Sequence, residues 1–184
     1  MNQFICFQNQ IHKITPATVV TNYAGNGNAA SEDGSPGSFW NPTGLKFDNA
    51  GLLYVADFNN CKIRTIDASK KVSTVAGFSG DFHSISPGSV NGAIGSASFR
   101  TPNDVAIDVK GNIYVADTGN HLIRMINADR TTVSSLAGNG TAGSINGLGN
   151  AASFNYPNSL VVDASGNIYV ADTGNNLIRK IVIY

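Results

Sequence analysis

Apolar and polar residues alternate with a period of two along most of this chain. Clear examples are the segments 105–108 (VAID) and 113–117 (IYVAD). This alternation, with β-branched and aromatic residues bounded by Gly, Asn and Asp, is typical of strands and not of helices. The pattern therefore predicts a chain built from short β-strands.

One stretch of this pattern occurs three times. It reads GLLYVADFNNCKIRTI at 51–66, GNIYVADTGNHLIRMI at 111–126 and GNIYVADTGNNLIRKI at 166–181, so the copies are 60 and then 55 residues apart. A gapless alignment of 103–126 with 158–181 gives 16 identities in 24 positions. A weaker copy heads the chain, where 11–14 and 19–25 align with 123–126 and 133–138. Such an internal repeat indicates a tandem array of one structural unit.

Each unit is predicted to contain four antiparallel strands. In the second complete unit they are 104–108, 112–117, 122–126 and 132–137. The first two are joined by Asp-Val-Lys-Gly, where Asp can accept a turn N–H and Gly supplies a positive φ, as a tight hairpin requires. Tandem four-stranded units of this length are typical of the blades of a β-propeller.

The motif also resembles a known repeat. Each unit opens with Phe-x-x-Pro, and the second continues as Asp-x-x-Gly-Asn-Ile-Tyr-Val-Ala-Asp-Thr-Gly-Asn-His-Leu-Ile-Arg within 99–124. This resembles the NHL repeat, over roughly residues 8–184. The first complete copy departs from it at Phe58 and Cys61, and the N-terminal copy has His12 where the others have Arg.

The resemblance implies an all-β fold of four-stranded antiparallel propeller blades, about three and a half in this chain. We expect one domain over 1–184. Its units are a partial one at 1–25, complete ones at 39–77 and 99–138, and one at 154–184 that lacks its last strand.

Composition narrows the functional classes only slightly. The chain is 42% apolar and 13% charged, with zero formal net charge, and no stretch reaches the roughly 18 apolar residues of a membrane span. A composition rich in Asn, Gly, Ser and Thr and poor in charge favours an extracellular or secreted protein. The first residues do not resemble a signal peptide, however, because no basic residue precedes a very short apolar patch. The sequence therefore does not decide the cellular location of the protein.

The direction of the strands predicts a functional face. In an antiparallel blade, the turn between the second and third strands lies at the same end as the links between blades. These links, 26–38, 78–98 and 139–153, are far longer than a hairpin needs, and long loops on a rigid scaffold commonly carry binding. No Lys or Arg occurs between Lys71 and Arg100 or from 131 to 175, so we do not expect a nucleic-acid partner.

Candidate contact residues are those on this face that the repeat does not dictate. Trp40 stands where the other units have Arg100 and Asn155, and it either contacts a partner or packs under its own loop. The complete set of candidate binding residues is Trp40, Phe78, Asp81, Phe82, His83, Asn139, Asn146 and Asn150.

An aspartate ends each second strand, seven residues before an arginine. Three such aspartates could form a ring of cation ligands, but a residue present in every blade usually serves the blade. We therefore interpret the pairs as structural. They are Asp57 and Arg64, Asp117 and Arg124, and Asp172 and Arg179.

Catalytic chemistry has little support in the sequence. The histidines His12, His83 and His121 do not occupy matching repeat positions, and none forms a local pair with metal spacing. We expect His121 to be a solvated loop residue, and we predict no catalytic residue, metal or cofactor. The prediction is a non-enzymatic binding or scaffold module with a protein partner. The alternative is a metal-dependent lyase or hydrolase, because some NHL-like propellers are lyases with zinc held by histidines.

The number of blades raises a question of assembly. Closed propellers typically need four to eight blades, and an open array exposes apolar faces and unpaired strand edges. One solution is a homodimer that completes a ring, in which the strand 18–24 could supply the missing fourth strand of the last unit. The others are a segment of a longer NHL protein and a four-bladed monomer with incomplete end blades. We expect self-assembly.

Overall fold

The computed structural model of the protein describes residues 2–77 and 88–183. These residues form short strands joined by tight turns, four 3-10 helical turns and longer links. The strands are β1 (Gln3–Phe7), β2 (Gln10–Ile14), β3 (Val20–Ala24), β4 (Pro42–Phe47), β5 (Leu53–Asp57), β6 (Lys62–Ile66), β7 (Val72–Ala76), β8 (Gly92–Ala93), β9 (Pro102–Ile107), β10 (Ile113–Asp117), β11 (Leu122–Ile126), β12 (Thr132–Ala137), β13 (Pro157–Val162), β14 (Ile168–Asp172) and β15 (Leu177–Ile181). Within the described ranges, no helix is both long and apolar enough to cross a membrane.

The strands form four antiparallel sheets, which we call blades I to IV. Blade I is β1-β2-β3, blade II is β4-β5-β6-β7 and blade IV is β13-β14-β15. Blade III is β9-β10-β11-β12, and its outer strand β12 also pairs with β8. The predicted all-β fold with antiparallel propeller blades is confirmed. The four strands predicted for the second complete unit all occur, and only the first two differ in their limits, by one or two residues.

The turn between the first two strands of each unit has the predicted chemistry. In blade II, Asp48 Oδ1 accepts the N–H groups of Ala50 and Leu52 at 2.9 Å, and Gly51 has φ +84°. Asp108 and Asp163 accept the corresponding N–H groups in blades III and IV. This Asp-x-x-Gly hairpin is therefore a turn device in every unit that contains it.

The turn between the second and third strands is a short 3-10 helix. These helices are Phe58–Asn60, Thr118–Asn120 and Thr173–Asn175, and each ends at a residue with positive φ. The last asparagine of each donates its side-chain N–H to a carbonyl of the preceding link at 2.8 Å. These turns and the links therefore share one surface. The link face is defined here as the turns 58–61, 118–121 and 173–176 with the described parts of the links, 26–38, 88–98 and 139–153.

The cores lie between neighbouring blades. The phenylalanine that opens each unit packs in the same cluster as an isoleucine from the third strand of the preceding blade, or from β2, its equivalent in the three-stranded blade I. The pairs are Ile11 with Phe39, Ile63 with Phe99, and Ile123 with Phe154, all at most 2% exposed. Each unit thus buries its first residues against the blade before it, which joins consecutive blades into one array.

Two blade faces stay exposed at the ends of the described array. On blade IV, Ile178 is 74% exposed, whereas the equivalent Ile63 and Ile123 are at 0%. On blade I, Val20 is 55% exposed, whereas the equivalent Val133 is at 1%. The difference arises because blades II and III have a neighbour on both sides.

Candidate functional site

Each repeated aspartate and arginine form an ion pair inside a blade. Asp57 Oδ2 lies 2.7 Å from Arg64 Nη1, and Asp117 Oδ2 lies 2.8 Å from Arg124 Nη1, with all four side chains at 0% exposure. In blade IV the Asp172–Arg179 distance is 2.9 Å, and the arginine side chain is 10% exposed. A buried ion pair of this kind is costly to break, because either partner alone would be an uncompensated buried charge.

The remaining acceptor sites of these carboxylates face donors of the same unit. In blade III, Asp117 Oδ1 accepts the backbone N–H of Arg100 at 2.7 Å, and Oδ2 also accepts Asn120 Nδ2 at 2.8 Å. Blades II and IV repeat both contacts. Burial raises the pKa of Asp117, while the hydrogen bonds from Asn120 and Arg100 and the charge of Arg124 lower it. Both oxygens of each carboxylate are thus engaged by donors of their own unit.

Each arginine also fastens the preceding link to its blade. In blade III, Arg124 Nη2 donates to Val90 O at 3.0 Å and to Asn91 Oδ1 at 2.8 Å, and its guanidinium lies over Phe99, 5.3 Å from the ring centre. Arg64 contacts Glu32 O and Asp33 in the same way, and Arg179 contacts Ile145 O and Asn146. We call this arrangement the link clasp.

The link clasp has a sequence signal that the repeat analysis missed. The clasping residue is Asp or Asn followed by Gly, at 33–34, 91–92 and 146–147. It comes shortly before a serine, Ser38, Ser98 or Ser153, whose carbonyl accepts Nη1 of the same arginine. The signal is short and lies within links of unequal length, so alignment of the strands alone does not bring it out.

The candidate binding residues that the structure describes have three kinds of environment. Trp40 is half-buried, and its backbone N–H is held by Asp57. Asn146 is part of the link clasp, with Oδ1 accepting Arg179 Nη2 at 2.6 Å. Asn139 is exposed and its Oδ1 accepts Thr141 N at 2.9 Å, while Asn150 is exposed on the 3-10 turn of its link. The candidates Phe78, Asp81, Phe82 and His83 lie outside the described residues.

The candidate binding residues predicted from the sequence do not include three large apolar side chains on or beside the link face. Ile145 is 63% exposed, Leu148 is 85% exposed and Tyr156 is 55% exposed. Ile145 and Leu148 stand in a link that is otherwise composed of small and polar residues (GTAGSINGLGN, 140–150). This contrast in the sequence could have indicated them as contact residues. Ile145 and Leu148 share one link, and exposed apolar side chains that share one surface are typical of an interaction site.

His121 does not have the solvated position that the sequence led us to expect. It is half-buried at the end of a 3-10 turn, and its Nδ1 accepts the backbone N–H of Tyr156 at 3.1 Å. The two rings also meet edge-on, 4.6 Å apart. Asn9 Oδ1 accepts the N–H of Asn41 at the equivalent position between blades I and II. The prediction of a lone loop histidine was therefore wrong, because the repeat uses this position to join adjacent blades.

The environment of His121 disfavours its charged form. Burial lowers its pKa, and the positive charge of Arg100 lowers it further, while Asp172 acts in the opposite direction. The hydrogen bond from Tyr156 N requires an unprotonated Nδ1, so the neutral ring carries its proton on Nε2.

Lys62 is a buried cation at a position where the units of blades III and IV have leucine. It is 8% exposed, and its Nζ donates to Ser31 Oγ at 2.6 Å. Burial lowers the pKa of Lys62, and the neighbouring Arg64 lowers it further. The side chain lines a cleft of about 450 Å³, with Asp33 and Thr74 on its wall.

Metal chemistry has no ready site in the described part of the chain. Across residues 2–77 and 88–183, no group of three or more His, Cys, Asp or Glu side chains is arranged to hold a metal ion. Cys6 and Cys61 are both free thiols and only partly buried.

Comparison with known proteins identifies the repeat. The NHL repeat family matches residues 39–65, 99–124 and 154–181. The chain is 29% identical to Protein SUPPRESSOR OF QUENCHING 1, chloroplastic, of Arabidopsis thaliana over 95% of its own length, and 34% identical to NHL repeat-containing protein 2 of Homo sapiens over 52%. It spans only 17% and 13% of the lengths of these two relatives.

Solved structures share the fold at lower sequence identity. A Bacteroides thetaiotaomicron protein of unknown function has a TM-score of 0.78 at 22% identity, with 96% of this chain and 43% of that chain aligned. An auxiliary nutrient binding protein of Bacteroides ovatus has a TM-score of 0.74 at 21% identity, with 98% and 45% aligned. A virginiamycin B lyase of Staphylococcus aureus has a TM-score of 0.59 at 14% identity, with 96% and 49% aligned. The three repeat matches identify this chain as an NHL-repeat protein, and the solved structures share its β-propeller fold.

Proposed function

We propose that this chain is a non-enzymatic binding or scaffold module that recognises a protein partner through its link face. The observation that carries this proposal is the exposure of Ile145, Leu148 and Tyr156 on and beside one link. Apolar side chains of this size gain free energy when a partner removes them from water, and aromatic residues are enriched in protein interfaces.

The link clasp supports this proposal because it limits the motion of the exposed residues. Ile145 accepts a hydrogen bond from Arg179 through its carbonyl, and its N–H donates to Ser153 Oγ at 2.9 Å. The backbone of Ile145 is therefore fixed at both polar groups. A preorganised surface binds more tightly because little conformational entropy remains to be lost.

The fold is compatible with both binding and catalysis. Among the proteins that share it, one is described as an auxiliary nutrient binding protein and another as a virginiamycin B lyase. Binding is favoured for this chain because His121 uses Nδ1 to join two blades and the repeated carboxylates are engaged by their own units. A stoichiometric, tightly held zinc or calcium in the purified protein would instead favour the lyase or hydrolase alternative.

Self-assembly is the second element of the proposal. The exposed face of blade IV carries Ile178, equivalent to Ile63, whereas the exposed face of blade I carries Ile5 and Val20, equivalent to Val115 and Val133. Ile63, Val115 and Val133 belong to the single core between blades II and III. Blade I of a second copy placed against blade IV would recreate part of that core, so we propose a homodimer that completes the ring.

Variants on two faces test partner recognition. Leu148→Asp with Tyr156→Asp should remove the proteins that immobilised wild-type chain captures from the native source. Val109→Asp changes an equally exposed apolar residue, 80% exposed, on the opposite surface and should leave capture intact. Quantitative mass spectrometry of the three captures gives the comparison. Equal capture by the link-face variant would mean that the wrong face had been chosen.

A further inference from the structure

The cleft beside Lys62 lies where blade II meets the link of blade III. Besides Lys62, its lining comes from the link of blade II at 31 and 33, from residues 74–77 at the end of β7, and from the link of blade III at 94–95. Its volume of about 450 Å³ is within the range of small-molecule binding sites. Blades II and III both have a neighbour on each side, so the cleft does not depend on either end of the array.

Lys62 places a positive charge in this cleft. The residue is 8% exposed, and its Nζ donates to Ser31 Oγ at 2.6 Å. Among the residues that the structure describes, this is the one hydrogen bond of the ammonium group, and none of the ion pairs includes it. An ammonium group has three donors, and its burial is costly without a counter-charge. Lys62 can therefore donate to an anionic group of a ligand.

Asp33 places a negative charge on the wall of the same cleft. Its side chain is 51% exposed. Oδ1 accepts Arg64 Nη2 at 2.7 Å and Thr74 Oγ1 at 3.0 Å, whereas Oδ2 accepts Thr74 N at 3.1 Å. Although burial acts to raise the pKa of Asp33, the hydrogen bonds from Arg64 and Thr74 lower it overall. Each carboxylate oxygen can accept two hydrogen bonds, so Oδ2 has capacity for a further donor.

Both charged residues are departures from the repeat. Blades III and IV have the same link clasp, but with asparagine in place of Asp33 and leucine in place of Lys62. Neither charge is therefore needed to build a blade or to fasten its link. The equivalent residues are Asn91 and Asn146 for Asp33, and Leu122 and Leu177 for Lys62.

We propose that this cleft binds a free α-amino acid with an aliphatic side chain. The carboxylate of the amino acid accepts from Lys62 Nζ, and its ammonium group donates to Asp33 Oδ2. Its side chain lies against Val75 and Ile94, which line the cleft and pack on the core between blades II and III.

The two opposite charges select a zwitterion. A simple anion would be repelled by Asp33 and a simple cation by Lys62, whereas an α-amino acid offers a favourable partner to each. The terminus of a peptide carries only one of the two charged groups. The pair of charges therefore favours a free amino acid over a peptide end.

This site is separate from the exposed apolar patch formed by Ile145, Leu148 and Tyr156, and all of its residues belong to one copy of the chain. Failure of the amino-acid site would leave the proposed protein partner and the proposed dimer untouched. Failure of either of those proposals would equally leave this cleft in place.

The test uses L-leucine as the probe and the whole, nitrogen-labelled chain. Proton–nitrogen correlation spectra should show saturable shifts of the amide signals of Ser31, Thr74 and Ile94, with a dissociation constant on the order of 1 mM or below. Two analogues each remove one charge, since isocaproate lacks the ammonium group and isoamylamine lacks the carboxylate. Both should bind at least about tenfold more weakly. No saturable shift with leucine, or equal affinity for leucine and either analogue, would overturn the proposal.

Two protein variants give blade II the residues of the other blades and should therefore retain the fold, which the same spectra check. Lys62→Leu should weaken leucine binding at least about tenfold, because the carboxylate loses its partner. Asp33→Asn should weaken leucine binding several-fold but should not weaken the binding of isocaproate, which has no ammonium group. Lys110→Leu, on the opposite surface, is the matched control and should leave the affinity unchanged. Leucine binding that survives Lys62→Leu would contradict the site.

Discussion

Asp117, the last residue of β10, and Arg124 on β11 form a fully buried ion pair, 2.8 Å apart, in a complete blade. The same arginine reaches the link through Val90 and Asn91. One ion pair thus joins the second strand, the third strand and the link of its blade. Its equivalents in blades II and IV make the same connections, so loss of the carboxylate should disrupt a blade and its loop together.

Asp117→Ala should lower the free energy of unfolding by about 3–5 kcal/mol, because it leaves Arg124 buried without its counter-charge. Asp172→Ala should cost less, since Arg179 is partly exposed and water can reach it. Urea unfolding followed by circular dichroism measures both values. Equal costs for the two variants, or a cost below about 1 kcal/mol for Asp117→Ala, would contradict a structural role for this pair.

The pH dependence of stability should reveal the contact between His121 and Tyr156. Since the pKa of His121 is lowered on folding, the unfolded chain binds more protons in the range below its ordinary value of about 6.5. The stability that neutral His121 contributes is therefore fully present above about pH 6.5. It is lost as the pH falls through the pKa of His121 in the folded state. Unfolding free energies measured in steps from neutral to mildly acidic pH should decrease.

His121→Asn is the matched variant for this contact, because Asn9 makes the equivalent hydrogen bond between blades I and II. The variant should retain most of the stability at neutral pH. Its unfolding free energy should depend less on pH between about pH 5 and 7 than that of the wild type. Asp33 and Asp108 have lowered pKa values and titrate at more acidic pH. Burial raises the pKa values of Asp57 and Asp117 in both proteins, so the difference in slope between variant and wild type, and not the wild-type slope alone, reports His121. An unchanged slope in the variant would assign the effect to another group.

Lys62→Leu should raise the stability of the protein. The side chain is nearly buried, its charge lies close to Arg64, and the equivalent positions 122 and 177 are leucine. Replacement removes the desolvation cost of an ammonium group and adds apolar contact, for an expected gain of about 1 kcal/mol. Thermal unfolding measures it, with Lys110→Leu on the opposite surface as the control. A lower melting temperature for Lys62→Leu would mean that its bond to Ser31 outweighs the desolvation cost.

The sequence predicted the blades well because their determinants are local. The alternation in segments such as 113–117 and the turn chemistry of Asp108 and Gly111 act within a few residues, so the strands and hairpins could be assigned directly. The pairing of Asp117 with Arg124 was also suggested by position alone, since they lie on neighbouring strands of one hairpin.

The candidate site was predicted less completely because its determinants connect different units. The hydrogen bond from Tyr156 to His121 crosses from blade IV to blade III, and nothing near His121 in the sequence indicates it. The short strand β8 was missed because two residues, Gly92 and Ala93, carry no periodicity. The exposure of Leu148 depends on where its link runs, which the length and composition of the link do not determine.

We propose that this chain assembles through its end blades, which expose surfaces that the inner blades bury. Sedimentation velocity over a range of micromolar concentrations tests it directly, with Ile178→Asp as the variant. We predict a species of twice the 19.2 kDa chain mass for the wild type and a shift towards the single chain for the variant. A stable 19.2 kDa species at every concentration, unchanged by the substitution, would contradict self-assembly.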